Sequence, residues 1–226
     1  MKAANPQFFS SEFPVYPEAD RLELPVTDVY NLNSERSPLA AQDAAAPELV
    51  NVDLPYEPAL LEDVEVETER LDGRQRRISA KVQIPYPAEQ VWQILTDYEK
   101  LSDFIPSLSK SRQIPHPQGG IRLEQVGTQC LLNFKFCARV VLDMVENFPQ
   151  RLDFKMVEGD FKVFSGSWQL QPIMLGNQTG TELCYSVLVL PRMAMPVGLI
   201  ERRLSTNLAM NLVAIRERVN ELFSLS

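Results

Sequence analysis

The sequence predicts an α+β fold: a curved antiparallel sheet wrapped around a long C-terminal helix, with two short helices after the first core strand. Three observations point there. Segments with period-two alternation follow one another through most of residues 64–190, separated by turn residues. Apolar residues then recur every three or four positions from Val197 to about Phe223. Between the first core strand and the others stands AEQVWQILTDYEKLSDFIPSLSKS, Ala88 to Ser111, with two short stretches at helical spacing.

The chain divides by charge before any element is placed. Residues 1–60 hold three basic side chains (Lys2, Arg21, Arg36) and ten acidic ones, so 3 − 10 = −7 of the total −8 lies there. The same segment carries eight of the 17 prolines. Proline removes a donor and fixes φ, and net charge opposes collapse, so residues 1–62 are expected to be a disordered acidic tail. Phe8, Phe9, Phe13 and Tyr16 in it are candidates for docking a protein partner. The remaining body, residues 63–226, is nearly neutral. It lacks the positive field that nucleic-acid affinity needs, so no nucleic-acid partner is expected.

Order is expected from about Val64. Val64 and Val66 alternate with acids, LDGR supplies an Asp72-Gly73 turn, and RRISAKVQI places Ile78, Ala80, Val82 and Ile84 on one face. Pro85 and Pro87 end that strand, and Pro87 suits a helix start because its missing N–H would be unpaired there. Val91, Trp92, Leu95 and Tyr98 then mark one short helix, and Leu101, Phe104 and Ile105 a second that Pro106 stops. Neither is long enough to be stable alone, so both must rest on something larger.

The later strands are read from IRLEQVG, CLLNFKFCARVVLDMVENF, RLDFKMVE, FKVFSGSWQLQ and TELCYSVLVL, the last two separated by GNQTG. In the longest, Phe134, Phe136, Ala138, Val140, Leu142 and Met144 share one face; Leu152, Phe154 and Met156 continue the pattern in the next. Short links imply antiparallel neighbours with one dry face. Val197, Ile200, Leu204, Leu208, Leu212, Ile215, Val219 and Leu222 supply the helical stripe that covers it.

The stretches VWQILTDYEKLSDFIPSLSKS, RLEQVG (122–127), VEGDFKVFSGSWQLQP (157–172) and TELCYSVLVLP followed by PVGLIERRL carry a resemblance. Together they resemble the helix-grip fold of the START/Bet v 1-like (SRPBCC) superfamily over roughly residues 64–223. In detail they are most similar to its polyketide cyclase/dehydrase and coenzyme Q-binding START-type branch, and to a group found in cyanobacteria and chloroplasts. The resemblance implies a cavity between the long helix and the concave sheet that holds a lipid, isoprenoid quinone, pigment or polycyclic guest. It equally admits a cyclase- or dehydratase-like enzyme using that cavity, or a protein-interaction module, since some relatives act on ribosomes.

Candidate cavity residues are Phe134, Phe136, Val140, Phe154, Met156, Trp168 and Tyr185 on the sheet, with Leu204, Leu208 and Leu212 facing them. Each could instead be ordinary core. Tyr185 is the best polar contact, because a buried phenol needs a partner. Arg192, Met193, Met195, Leu199, Arg202 and Arg203 mix apolar and cationic side chains at the entry to the long helix. They are candidates for a gate or for peripheral contact with a membrane surface.

Signals for catalysis are sparse. His116, the only histidine, lies in the turn IPHPQGG and is expected to be solvent-exposed. Glu158 shares parity with Phe154 and Met156, which makes it a candidate carboxylate in the cavity. No GxSxG, HExxH, Walker or Rossmann pattern occurs, so a non-catalytic binding module leads the functional expectation. Cys130, Cys137 and Cys184 are sparse and lack CxxC spacing, so isolated thiols are expected, with no metal and no cofactor. No run approaches the roughly 20 apolar residues of a membrane span. The leading MKAANPQFFSSEFP lacks a signal-peptide core, so a cytoplasmic location with at most peripheral membrane contact is expected.

Overall fold

Alternating apolar residues at both ends of the chain meet in one sheet. The computed structural model describes residues 58–128 and 137–224. Phe134, Phe136, Cys130 and the tail aromatics lie outside the described residues. The elements in order are α1 (Pro58–Glu62), β1 (Glu65–Arg70), β2 (Arg76–Ile84), α2 (Ala88–Thr96), α3 (Leu101–Phe104), β3 (Leu108–Ile114), β4 (Ile121–Gly127), β5 (Arg139–Asn147), β6 (Arg151–Gly159), β7 (Val163–Leu175), β8 (Gln178–Leu190) and α4 (Val197–Phe223). All strands pair antiparallel in the order β1-β2-β8-β7-β6-β5-β4-β3.

That order explains the two short helices. β2 pairs with β8, whereas β3 forms the far edge, so the chain must cross the sheet's width between them. α2 and α3 make that crossing and bury Val91, Trp92, Ile94, Leu95 and Leu101 as they do. Pro87 caps α2 from outside: its carbonyl accepts the Gln90 and Val91 amides, and the first helical residue is Ala88.

One face of the sheet is dry. Ile78, Ile84, Leu183, Val187 and Val189 are fully buried there. α4, 27 residues and therefore about 40 Å long, lies along β2. It runs from Glu201, bonded to Arg76, to Phe223, whose ring meets Tyr86. α1, upstream of the expected start of order, docks on its C-terminal half, where Arg216 donates to the Leu60 carbonyl.

The other face is wet and laid out in cross-strand ion pairs. Glu124, opposite Arg112, accepts from Lys110, Arg112 and Arg139. Asp143, opposite Arg122, accepts from both ends of its guanidinium.

Three local readings change. The GNQTG turn shrinks to Gly176-Asn177, with Gly176 at φ 63°, so β7 and β8 are each 13 residues long. The described part of the long strand begins at Arg139. Most consequential, β6 bulges opposite the Val141–Leu142 step: Glu158 pairs Val141 while Met156 pairs Leu142. Val157 is the extra residue, and a bulge reverses the facing of the residues beyond it. Glu158 therefore turns to the wet face and pairs with Arg139.

Gly166 shows how closely the dry face is assembled. It lies opposite Phe154, and a Cβ there would come within 2.0 Å of the Ser186 carbonyl and 2.6 Å of Phe154 Cζ. Gly166→Ala should cost about 1–3 kcal/mol in urea unfolding. Gly198→Ala, with open space around its Cβ inside α4, should be neutral or stabilise by up to about 1 kcal/mol.

The Glu124 ion pairs predict a pH dependence. Hydrogen bonds from Lys110, Arg139 and Arg112 lower its pKa from 4.5 to about 2. This stability is fully present above pH 4.5 and is lost progressively as pH falls toward 2. Urea midpoints at pH 5 and pH 3 should differ less in Glu124→Gln than in the parent chain.

Candidate functional site

α4 fills one flank of the dry face and leaves a hollow on the other. Ile200, Leu212, Ile215 and Val219 belong to the close-packed core. Leu204, Asn207, Leu208 and Asn211, at i, i+3, i+4 and i+7, form a second stripe that borders a cavity of about 160 Å³. Val140, Leu142 and Met144 of β5 and Leu152 and Phe154 of β6 line the sheet side. Leu95, Tyr98, Leu101 and Ile105 close it from α2, α3 and the residues flanking α3.

The floor is aromatic. Trp168 and Tyr185 are directly paired across β7 and β8, and their rings stack with centroids 3.6 Å apart and planes 6° apart. Phe154 tilts toward Tyr185 at 6.0 Å and toward Phe164 at 5.8 Å, and Phe161 stacks on Phe164 at 5.3 Å. Gly166 opposite Phe154 leaves room for its ring, which gives the Gly-x-Trp spacing a physical reason.

Polar groups on the wall are few and uncharged among the described residues. Ser107 Oγ donates to Asn211 Oδ1 at 2.7 Å, and Gln125 Nε2 donates to Ser111 Oγ at 3.2 Å. Tyr98 donates its hydroxyl to Glu146 Oε1 at 2.6 Å, and burial followed by this bond pushes its pKa above the usual phenol range. Burial alone does the same for Tyr185. Both phenols thus keep their protons at neutral pH and act as hydrogen-bonding groups.

The expected site residues separate on this geometry. Val140, Phe154, Trp168, Tyr185, Leu204 and Leu208 come together around the cavity. Leu212 is fully buried in the core instead and does not border the hollow. Met156 packs beside Gly159 at the bulge rather than on the wall. Glu158 is outside, as its register requires. His116 is in the expected turn but is not exposed: its side chain is 15% accessible, with Nε2 3.3 Å from Asp143 Oδ2. Ser107, Asn207 and Asn211 line the cavity without a sequence signal: Ser107 lies between α3 and β3, and a polar residue within an apolar helical stripe reads as its solvated side.

The entry to α4 is tied down on two sides. Arg74, in the β1–β2 turn, donates to the Arg192 and Met195 carbonyls. Arg192 itself donates to the Gly159 and Asp160 carbonyls, next to the cavity residue Phe161. Met195 is buried, Leu199 and Arg203 are half-buried, and Met193 and Arg202 are exposed. Arg76 and Arg70 reach Glu201, and Thr68 meets Ser205. Cys184 is a half-buried free thiol whose pKa is raised chiefly by burial. Among the described residues no cluster of His, Cys, Asp and Glu could hold a metal, and no helix is long and apolar enough to cross a membrane.

A sheet that grips a long helix around an apolar hollow agrees with comparisons against known proteins. The family model described as polyketide cyclase/dehydrase and lipid transport matches residues 84–213. The chain belongs to this family. Among solved structures, the fold is shared with the Zhui aromatase/cyclase from a Streptomyces species. That match has a TM-score of 0.55 and 16% identity, over 65% of this chain and 94% of that one. A STAR-related lipid transfer protein from Xanthomonas axonopodis matches at 0.55 with 13% identity, over 70% and 94%. TTHA0849 from Thermus thermophilus matches at 0.55 with 20% identity, over 65% and 99%. No curated protein matches by sequence. The family match starts at the end of β2, so the β1–β2 hairpin that ties down α4 lies almost wholly outside it.

Tyr98 fixes the cavity wall to β5. Tyr98→Phe should cost about 1–2 kcal/mol of stability by loss of a bond to a charged acceptor, measured as a shift of urea midpoint without change of slope.

Proposed function

We propose that this member of the family binds a hydrophobic small molecule in the hollow between α4 and the sheet. The observation that carries the reading is the hollow itself: mostly apolar, aromatic-floored and uncharged along its described wall. Its size limits the guest. An engineered apolar cavity of about 150 Å³ holds benzene, whereas pockets for drug-sized ligands are roughly 300–1,000 Å³. At about 160 Å³ the hollow takes one or two rings, and a long isoprenoid or acyl chain would extend beyond it. Binding is favoured over catalysis because the described lining carries no carboxylate, imidazole, amine or thiol that could move a proton.

Delivery at a membrane surface extends the same proposal. The loop before α4 presents Met193, 72% exposed, beside the exposed Arg192 in sequence, and Arg202 is exposed in the first turns of α4. An apolar side chain with neighbouring cations suits an anionic lipid surface.

Two measurements test the binding. Native mass spectrometry of gently purified full-length protein should show bound small molecule, or added toluene should raise the melting temperature. Leu204→Trp, at a half-buried position on the rim, should fill the hollow and abolish either response while leaving the fold intact by circular dichroism. If the purified protein carries nothing and ring-sized apolar probes leave its melting temperature unmoved, the binding reading is wrong.

A further inference from the structure

Among the described residues three buried side-chain polar atoms have no hydrogen-bond partner: Arg74 Nε, Gln90 Oε1 and Asn207 Oδ1. Only the last belongs to a residue that lines the cavity. A buried amide oxygen without a partner costs about 1–3 kcal/mol, and native structures keep few such groups without a reason. The neighbouring polar groups do not relieve it. Tyr98 gives its hydroxyl proton to Glu146, and neither Asn211 nor Gln125 donates to Asn207 Oδ1. A partner from outside the chain can reach Asn207 through the hollow that it borders.

We propose that Asn207 is the specificity-determining residue of the cavity, and that it selects a neutral aromatic guest carrying an O–H or N–H donor. The inference rests on the binding reading above and adds three features to it. Oδ1 can only accept, so the guest must donate; a quinone or an ether, which only accept, leaves the oxygen as it is. The described wall has no charged side chain, so a carboxylate or ammonium guest would lose its hydration with no counter-ion. The stacked Trp168–Tyr185 pair and Phe154 offer flat faces to a flat ring. Tyr185 can donate or accept and therefore does not discriminate.

Matched isosteres separate this from simple apolar burial. Full-length protein would be titrated calorimetrically with phenol against toluene and with indole against benzofuran, pairs of nearly equal size that differ in one donor. In the parent chain the donor-bearing member should bind about tenfold or more tightly, as expected when a buried acceptor gains its bond. In Asn207→Leu the preference should vanish or reverse while toluene and benzofuran still bind. If that variant does not fold, Asn207→Ala takes its place, and the ratios in the parent chain already decide. Equal binding of both members, or a preference that survives in the variant, overturns the role of Asn207 and leaves the cavity reading standing. Failure of all four probes to bind overturns both.

Discussion

A sheet with one apolar face has to hide it, and here a single helix does so. α4 lies along β2 and packs tightly over β2 and β8, where Ile78, Ile84, Leu183, Leu212, Ile215 and Val219 are fully buried. The sheet continues through β7, β6, β5 and β4, which is wider than one helix can cover. α2 and α3 close the far side from beneath. The hollow is the space left between a helix on one flank and two short helices on the other. Core and cavity are therefore consequences of the same act of burial.

The two faces of the sheet divide the chemistry. Charged residues alternate with apolar ones along β4, β5 and β6, and the pleat sends them to opposite sides. Glu124 and Asp143 are held with their arginines on the wet face, and Glu146, which shares the concave parity of β5, sits at its exposed end bonded to Tyr98. One bulge at Val157 is enough to keep Glu158 out of the cavity. A carboxylate there would have changed which guests the hollow could accept.

The β1–β2 hairpin lies almost wholly outside the family match. β1 is exposed along its whole length and contributes little to the core. Its turn and its flanking arginines nonetheless hold the loop before α4 and the helix's first turns. The half of α4 that borders the hollow is thereby fastened by polar bonds, while the half over β2 and β8 is fastened by packing. Polar ties at the surface open at less cost than a close-packed core.

Strand order in the chain, the face each strand buries and the final amphipathic helix were legible in the sequence, because alternation and helical spacing are local consequences of burial. Val140, Phe154, Trp168, Tyr185, Leu204 and Leu208 could be placed on the dry face for the same reason. Tertiary structure alone decided which dry-face residues meet empty space and which meet each other. Leu208 borders the hollow while Leu212, one turn later, does not. Asn207 and Ser107 gained their roles the same way, since nothing local marks a polar side chain as facing a cavity. The bulge that turned Glu158 outward depends on pairing between β5 and β6, which parity along one strand cannot register. Period fixes the face; only the packed distance between elements fixes the volume left over.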